Sequence, residues 1–264
     1  MKPDISNSNS SYFIEALARG LDVLGLFSKE RPTLAFSDVV ESTGLSKATA
    51  YRILWTLEVT GYLIRDPTNK RYRPSIRVLT LGFTAINNLD IRQIARPHLE
   101  ALARDLNLTT SLGMLDDMWV VYIDRIRNRA IVGVLLGIGD RIPAHCASMG
   151  KVMLANLPED ELDSRLADYK LSPCTPRSIE SHEALREELA HVRKQGYAIN
   201  DGELYSGLRA IAAPIFNSQN RVVASVNLSG SQDEISAKQL RSELPSRIIE
   251  TARTITHTMN MVGA

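Results

Sequence analysis

Residues 34–64 read LAFSDVVESTGLSKATAYRILWTLEVTGYLI, and the fold of the N-terminal third turns on them. A short helix is predicted over Ser37 to Thr43, with Phe36, Val39 and Val40 as its apolar positions. Gly44 supplies the turn, because a positive φ costs glycine nothing. Leu45 then plugs the core, and Ser46 is a favourable N-cap. The next helix, Lys47 to Thr60, repeats Ala50, Ile53, Leu54 and Leu57 at i, i+3, i+4 and i+7. Its opposite face presents Ala48, Thr49, Arg52, Trp55 and Thr56, with Lys47 at the edge. A short helix, a glycine turn and a helix that starts with small and basic residues form the arrangement that enters a major groove. The candidate DNA contacts here are Ser46, Lys47, Ala48, Thr49, Tyr51 and Arg52.

Downstream, Tyr62 to Arg65 and Arg71 to Arg73 have strand character, and Asp66-Pro67-Thr68-Asn69-Lys70 between them closes a hairpin. A basic hairpin beside a recognition helix is a wing, whose Lys70, Arg71 and Arg73 would meet the DNA backbone or minor groove. Between positions 46 and 77, Lys47, Arg52, Arg65, Lys70, Arg71, Arg73 and Arg77 face only Glu58 and Asp66. Residues 1–85 hold eleven Lys and Arg against eight Asp and Glu, +3, and the remainder twenty against twenty-two, −2. One basic surface in an otherwise balanced chain is what phosphate contact requires. The same helical shape also serves protein contacts, but the basic wing favours DNA. Upstream, Phe13 to Phe27 is predicted helical, with Leu17, Leu21 and Leu24 on one stripe.

The 264 residues, 44% hydrophobic and 23% charged, suit an ordinary soluble protein of two unequal domains. The longest apolar run, Ile131 to Ile138, is too short to span a bilayer and contains two glycines. Residues 1–11, rich in Ser and Asn, read as a disordered tail without the apolar core of a signal peptide. Two cysteines, Cys146 and Cys174, form no disulfide framework and fit a reducing, cytoplasmic setting. The expected domains are a winged helix-turn-helix over 12–74, a linker helix over 75–89 and a second domain over 90–264.

In the linker, Ile76, Leu79, Phe83 and Ile86 recur near helical spacing. Asn87-Asn88 breaks the pattern, and a longer helix runs from Asp90 to Leu106 through Pro97. Beyond it, strands are expected at Thr110–Leu115, Trp119–Asp124, Ile131–Leu135, Gly196–Asn200, Leu208–Ile215 and Val222–Leu228. Helices are expected at Ser148–Asn156, Glu159–Asp168, His182–Lys194 and Glu234–Met261. Strands in runs with helices interspersed indicate an α+β domain with a largely antiparallel sheet. In Val222 to Ser229, the apolar Ala224, Val226 and Leu228 alternate with Ser225, Asn227 and Ser229. A solvated outer face shows the same alternation, but usually mixes in Lys and Glu. Uncharged polar residues favour a lined cavity. A second wall is offered by HCASMGK, where free N–H groups at a helix start near Ser148 could hold a carboxylate.

Residues 34–64 closely resemble the helix-turn-helix of the IclR family of bacterial regulators, as does RGLDVLGLF, Arg19 to Phe27. PAHCASMGKVMLA, Pro143 to Ala155, and GLRAIAAPIF, Gly207 to Phe216, resemble that family's two effector-domain signatures. VVASVNLSG, Val222 to Gly230, continues the second. The resemblance spans nearly the whole chain in order. It implies a GAF-like α+β effector-binding domain, a linker that pairs subunits into a homodimer or tetramer, and double-stranded operator DNA as partner. By analogy, the effector contacts are Ser148, Met149, Asn200, Leu208, Ala210, Asn227 and Ser229, with Val134 and Ile142 as weaker apolar candidates. No cofactor is implied. ASMGK with GLRAIAAP looks most like the branch controlling aromatic-acid breakdown through the β-ketoadipate route. Two departures bear on selectivity. The segment before GLR, often rich in acids, reads Asn200-Asp201-Gly202-Glu203, and Asn227 stands where serine is common.

Enzyme motifs are incomplete. Gly137-Ile138-Gly139 begins a dinucleotide fingerprint, but position 142 is Ile. Gly150-Lys151 has part of a phosphate loop, but Val152 replaces Ser/Thr. No G-x-S-x-G nucleophile elbow occurs. His145 and Cys146, as neighbours on extended chain, would point apart, and the five histidines lack ligand spacing. The competing class is an enzyme or ligand-binding module carrying an accessory DNA-like domain.

Overall fold

The computed structural model describes residues 12–87, 90–127 and 136–262. The tail over residues 1–11 and the strand from Ile131 to Leu135, including Val134, lie outside them. The chain divides into two compact units, Met1–Asn88 and Leu89–Ala264.

The first unit contains α1 (Glu15–Gly25), α2 (Phe36–Thr43), α3 (Lys47–Val59), β1 (Leu63–Arg65), β2 (Tyr72–Pro74) and α4 (Ile76–Asn87). Gly44 ends α2 at φ 66°, a left-handed turn open to glycine. The Ser46 hydroxyl accepts from the Thr49 N–H and starts α3. The two strands pair antiparallel, with Ile64 opposite Arg73. Leu34 bonds to Tyr72 in both directions, at 2.9 and 2.8 Å, and ties the hairpin to the segment before α2. Val23, Leu34, Val39, Ala50, Leu54, Leu63 and Tyr72 form the core.

Of the leucine stripe of α1, only Leu24 packs against this core. Leu17 and Leu21 are each 60% exposed, while Val23 is fully buried. The helix has two apolar faces, and the regular spacing of its leucines marks the outer one. Those leucines border a groove with α3 and α4 that also includes Val78 and Leu81.

In the second unit, α5 (Asp90–Leu106) precedes β3 (Thr109–Asp116), β4 (Trp119–Ile126), β5 (Arg141–Pro143), α6 (Ser148–Ala155), α7 (Glu159–Leu166) and α8 (His182–Gln195). The remainder is β6 (Ala198–Asp201), β7 (Leu208–Phe216), β8 (Val222–Ser231), α9 (Ala237–Ser242) and α10 (Leu244–Val262). The six strands form one sheet in the order β5-β4-β3-β8-β7-β6, and every neighbouring pair is antiparallel. One face packs Leu112, Ile211, Val226 and Leu228 against Leu99 of α5 and Ile255 of α10. On the other, Ala212 joins Met149, Val152 and Met153 of α6 and Leu185 and Leu189 of α8.

Two elements differ from expectation. Arg141–Pro143, outside the expected strands, is an edge strand on β4, three residues being too few for an alternating pattern to register. The single helix expected from Glu234 to Met261 is two. Ser236 and Gln239 close a capping box at the start of α9. Pro245, lacking an N–H, fits without cost in the first turn of a helix and so marks a new start.

Every residue of α6 is buried, as expected of a helix inserted between a sheet and a second helix layer. A Cβ at Gly150 would lie 2.1 Å from the Ala144 carbonyl oxygen, so only glycine lets α6 pack against the turn before it. Lys151, 1% exposed, ends between Glu203 and Glu188, with Nζ 2.8 and 3.0 Å from their carboxylate oxygens. Burial pushes the Glu203 carboxyl up despite this pairing. A buried ammonium with two carboxylates is costly to break, so α6 is held to both α8 and the β6–β7 connection.

Candidate functional site

Two surfaces gather the residues singled out in the sequence. The first is the exposed side of α3 with the hairpin. Lys47, Ala48, Tyr51, Arg52 and Trp55 are exposed, Tyr51 and Trp55 at 55% each. Arg52 borders the groove shared with α1 and α4. Thr49 is half-buried, and its hydroxyl lies 2.9 Å from that of Ser46. These two residues build the helix start and present less free polar surface than Lys47 or Arg52.

The wing divides its basic residues by task. Lys70 sits at the tip with φ 61°, its ammonium donating to the Pro67 carbonyl at 2.6 Å. Arg73 is exposed on β2. Arg71 turns inward, donating to the Thr33 hydroxyl and carbonyl and to Asp38, each at 3.0 Å. Asp38 also accepts from the Ala35 N–H at 2.8 Å. That backbone bond, then the charges of Arg71 and Arg31, hold its carboxyl below the usual range despite some desolvation. Arg71 therefore fastens the wing to α2, a role that a count of basic residues does not show.

The second surface is internal. Ser225, Asn227 and Ser229 are all buried, Asn227 at 4% exposure, so the polar side of β8 is not a solvated outer face. The sheet register explains the convergence. Asn200 pairs with Ala210, Ala210 with Ser229, and Ser229 with Thr109, making one cross-strand row. In the adjacent row, Ala212 pairs with Asn227, Asn227 with Ser111, and Ser111 with Arg125. Directly opposed residues on antiparallel strands share a face, here the face covered by the start of α6.

All seven expected effector contacts, Ser148, Met149, Asn200, Leu208, Ala210, Asn227 and Ser229, line one small cavity, as does Ile142. The free space among them is about 10 Å³, about that of one water. An organic ligand would enter only by displacing side chains. Asn200 is largely committed: its Nδ2 donates to the Cys146 carbonyl at 2.6 Å, and its Oδ1 accepts from the N–H groups of Gly202 and Glu203. It shapes the wall more than it offers a free group.

Tyr122, Arg125, Ala147, Leu136 and Leu204 also line the cavity, and sequence reasoning missed them. Arg125 matters most. Its guanidinium lies 5.4 Å from the Tyr122 ring centre, and burial lowers its pKa. Its Nε and the Asn227 Oδ1 are buried without a hydrogen-bond partner among the described residues. The available signal was an adjacent acid and base, Asp124-Arg125, in the otherwise apolar strand WVVYIDRI, where a core has no use for charges unless each has a task. Burial also raises Tyr122 to about 12, so its phenol is a neutral hydrogen-bonding group at physiological pH.

His145 and Cys146 do not point apart. They occupy a 3₁₀ turn, Ala144–Cys146, not extended chain, and the imidazole Nε2 lies 3.3 Å from the Cys146 sulfur. Among the described residues, no three His, Cys, Asp or Glu side chains gather as metal ligands, and no helix is long and apolar enough to cross a membrane.

Comparison with known proteins agrees with this architecture. Residues 16–67 match the family model of the IclR helix-turn-helix domain, and residues 83–257 match that of the bacterial transcriptional regulator IclR C-terminal domain. The HTH-type transcriptional regulator XynR of Escherichia coli (strain K12) is 37% identical over 82% of this chain and 86% of its own. An IclR family transcriptional regulator from Brucella abortus superposes with a TM-score of 0.82 at 28% identity, covering 97% of each chain. An IclR homologue from Microbacterium hydrocarbonoxydans, solved in complex with 4-hydroxybenzoate, superposes with a TM-score of 0.73 at 25% identity, covering 93% of this chain and 98% of its own.

Proposed function

The chain belongs to the IclR family and is a DNA-binding transcription regulator, not an enzyme; from that premise we propose that its operator binding is controlled by a small hydroxylated carboxylic acid bound between β4, β8 and the start of α6. The observation that carries this reading is the pair of buried, unpartnered polar atoms on one cavity wall, Arg125 Nε and Asn227 Oδ1. Leaving such atoms unsatisfied costs about 1–3 kcal/mol each, so a ligand that pairs both gains that amount back. Arg125 seeks an anion and Asn227 Oδ1 seeks a donor. A molecule with a carboxylate and a hydroxyl group answers both, and 4-hydroxybenzoate, found in the Microbacterium homologue, has that chemistry. Ser148 and Ser229 add hydroxyls, the α6 start adds backbone N–H groups, and Met149, Leu208 and Ala210 supply apolar contact.

The DNA-binding assignment rests on α3 and the wing, with Lys47, Ala48, Tyr51 and Arg52 facing the groove and Lys70 and Arg73 facing phosphate. A twofold operator calls for a dimer. We assign its contact to the exposed apolar faces of α1 and α4, where Leu17, Leu21, Ile76, Leu79 and Leu81 lie open.

The test is a thermal-shift panel of small carboxylic acids and their neutral amides, run on the full chain and on Arg125→Gln. A ligand that binds only the folded state raises Tm. Acids should stabilise the parent, amides should not, and Arg125→Gln should weaken acid binding about ten- to a hundredfold. Equal response to acid and amide, or an unchanged Arg125→Gln, would overturn the assignment.

A further inference from the structure

Beside the cavity lies a cluster for which ligand binding has no use. The Cys174 sulfur is 2.6 Å from that of Cys146. This is well inside the contact distance of two sulfurs, so closing to the 2.03–2.05 Å of a disulfide needs only a short further approach. Cys146 is buried, and Cys174 covers it from the surface. Ser178 holds the approach: its hydroxyl accepts from the Cys174 and Thr175 N–H groups, at 2.9 Å each, and donates to the Glu203 carbonyl at 2.7 Å. It also lies 3.7 Å from the Cys146 sulfur.

The imidazole of His145 completes the set. Its Nε2 is 3.1 Å from the Ser172 carbonyl and its Nδ1 is 3.2 Å from the Tyr169 hydroxyl. A carbonyl can only accept, so Nε2 carries the proton and Nδ1 accepts from Tyr169. The Nε2–H then stands 3.3 Å from the Cys146 sulfur. Burial is the largest single influence on Cys146. Nevertheless, hydrogen bonds with His145, Cys174 and Ser178 bring the thiol's pKa down. Burial and the neighbouring sulfur raise Cys174 to about 12. Of the two sulfurs, Cys146 is thus the one whose ionisation its neighbours favour, and Cys174 the one held as a thiol.

We propose that Cys146 and Cys174 form a peroxide-reactive dithiol site that closes to a reversible intrachain disulfide, giving this regulator a redox input separate from its ligand. The Cys146 sulfur attacks one oxygen of hydrogen peroxide and the O–O bond breaks. The departing hydroxide takes up the proton the thiol had released, leaving water and a sulfenic acid on Cys146. The Cys174 sulfur then attacks the Cys146 sulfur, the S–O bond breaks, and the leaving hydroxide takes the Cys174 proton as a second water. The two thiols lose two electrons, and peroxide is reduced to two waters. The bond forms in the cavity's own wall. The Cys146 carbonyl anchors Asn200, and the next three residues, Ala147, Ser148 and Met149, line the cavity.

The experiment treats the reduced full chain with stoichiometric hydrogen peroxide, counts alkylatable thiols and maps peptides by mass. The expected result is loss of both thiols, a Cys146–Cys174 linked peptide lighter by two hydrogens, and full recovery with dithiothreitol. Because Cys146 is core, the informative variants lie around it. Cys174→Ser should lose the cross-link and leave Cys146 as a sulfenic acid that dimedone traps. His145→Asn should slow the parent reaction about tenfold near neutral pH. Oxidation without the intrachain link, chain-to-chain disulfides alone, or thiols that stay alkylatable would each overturn the proposal. So would failure of dimedone to label Cys174→Ser, or a His145→Asn rate equal to the parent's.

Discussion

At the scale of single residues, the chain repeatedly gives a charged group a structural task that composition assigns to function. Arg71 belongs by type to the phosphate-facing set, yet its guanidinium fastens the wing to Asp38 and Thr33. Lys151 follows a glycine as in a phosphate loop, yet it joins three elements from within the core. The Asp38 latch predicts a pH signature. Its folded pKa lies below the ordinary 3.8, so its stabilisation is present in full above that value and is lost as pH falls through the lower folded value. The stability difference between the parent and Asp38→Asn should therefore stay constant from neutral pH down to about pH 4 and shrink in more acid solution. Urea unfolding at stepped pH measures it. A difference that grows below pH 4 would show that the carboxylate is not held ionised.

At the scale of elements, the wing and α3 form the DNA-facing surface proposed above, with separable jobs inside it. Arg73 is exposed and only its charge acts on a neighbour, Asp66, whereas Arg71 is part of the joint. In a titration of operator affinity against salt, Arg73→Ala should flatten the log–log slope by about 0.9, one phosphate's worth of released counterion. It should leave Tm nearly unchanged. Arg71→Ala should instead lower Tm and move the slope less. The reverse pattern, with Arg71→Ala flattening the slope at full stability, would return Arg71 to the DNA-contact set. The start of α6 shows the same coupling of packing to task. Gly150 admits the close approach to Ala144 that brings Ser148 and Met149 over the sheet.

For the whole molecule, the unresolved business of the first unit is its outer apolar surface. Leu17 and Leu21 of α1 and Ile76, Leu79 and Leu81 of α4 stay exposed in one chain. A surface of that kind, unusual on a monomer, is what an association site looks like, and a second copy is the occupant proposed above for it. Leu21→Arg should shift the protein toward monomers in sedimentation velocity. It should also weaken binding to a full palindromic site far more than to a half-site. A variant that sediments like the parent would move the interface elsewhere.

Much of this architecture was legible in the amino-acid order because local chemistry dictates it. Gly44, the Ser46 cap and the i, i+3, i+4, i+7 repeat of α3 specify the helix-turn-helix within fifteen residues or so of chain. The uncharged alternation of β8 separated its two faces before any partner was known. Arg125, the Cys146–Cys174 contact and the inward turn of Arg71 were not legible, since each depends on residues brought together from distant strands and loops. Arg125 joins Asn227 on one cavity wall only through the register of β4, β3 and β8, and register is set by the packing of the entire sheet. His145 and Cys146 converge because a 3₁₀ turn replaced the extended chain that neighbouring residues suggest. The sequence by itself determined which segments fold, which faces are apolar and which family the chain resembles. Tertiary structure alone decided which polar atoms end up buried without partners, because desolvation is a property of the assembled interior and not of any one segment.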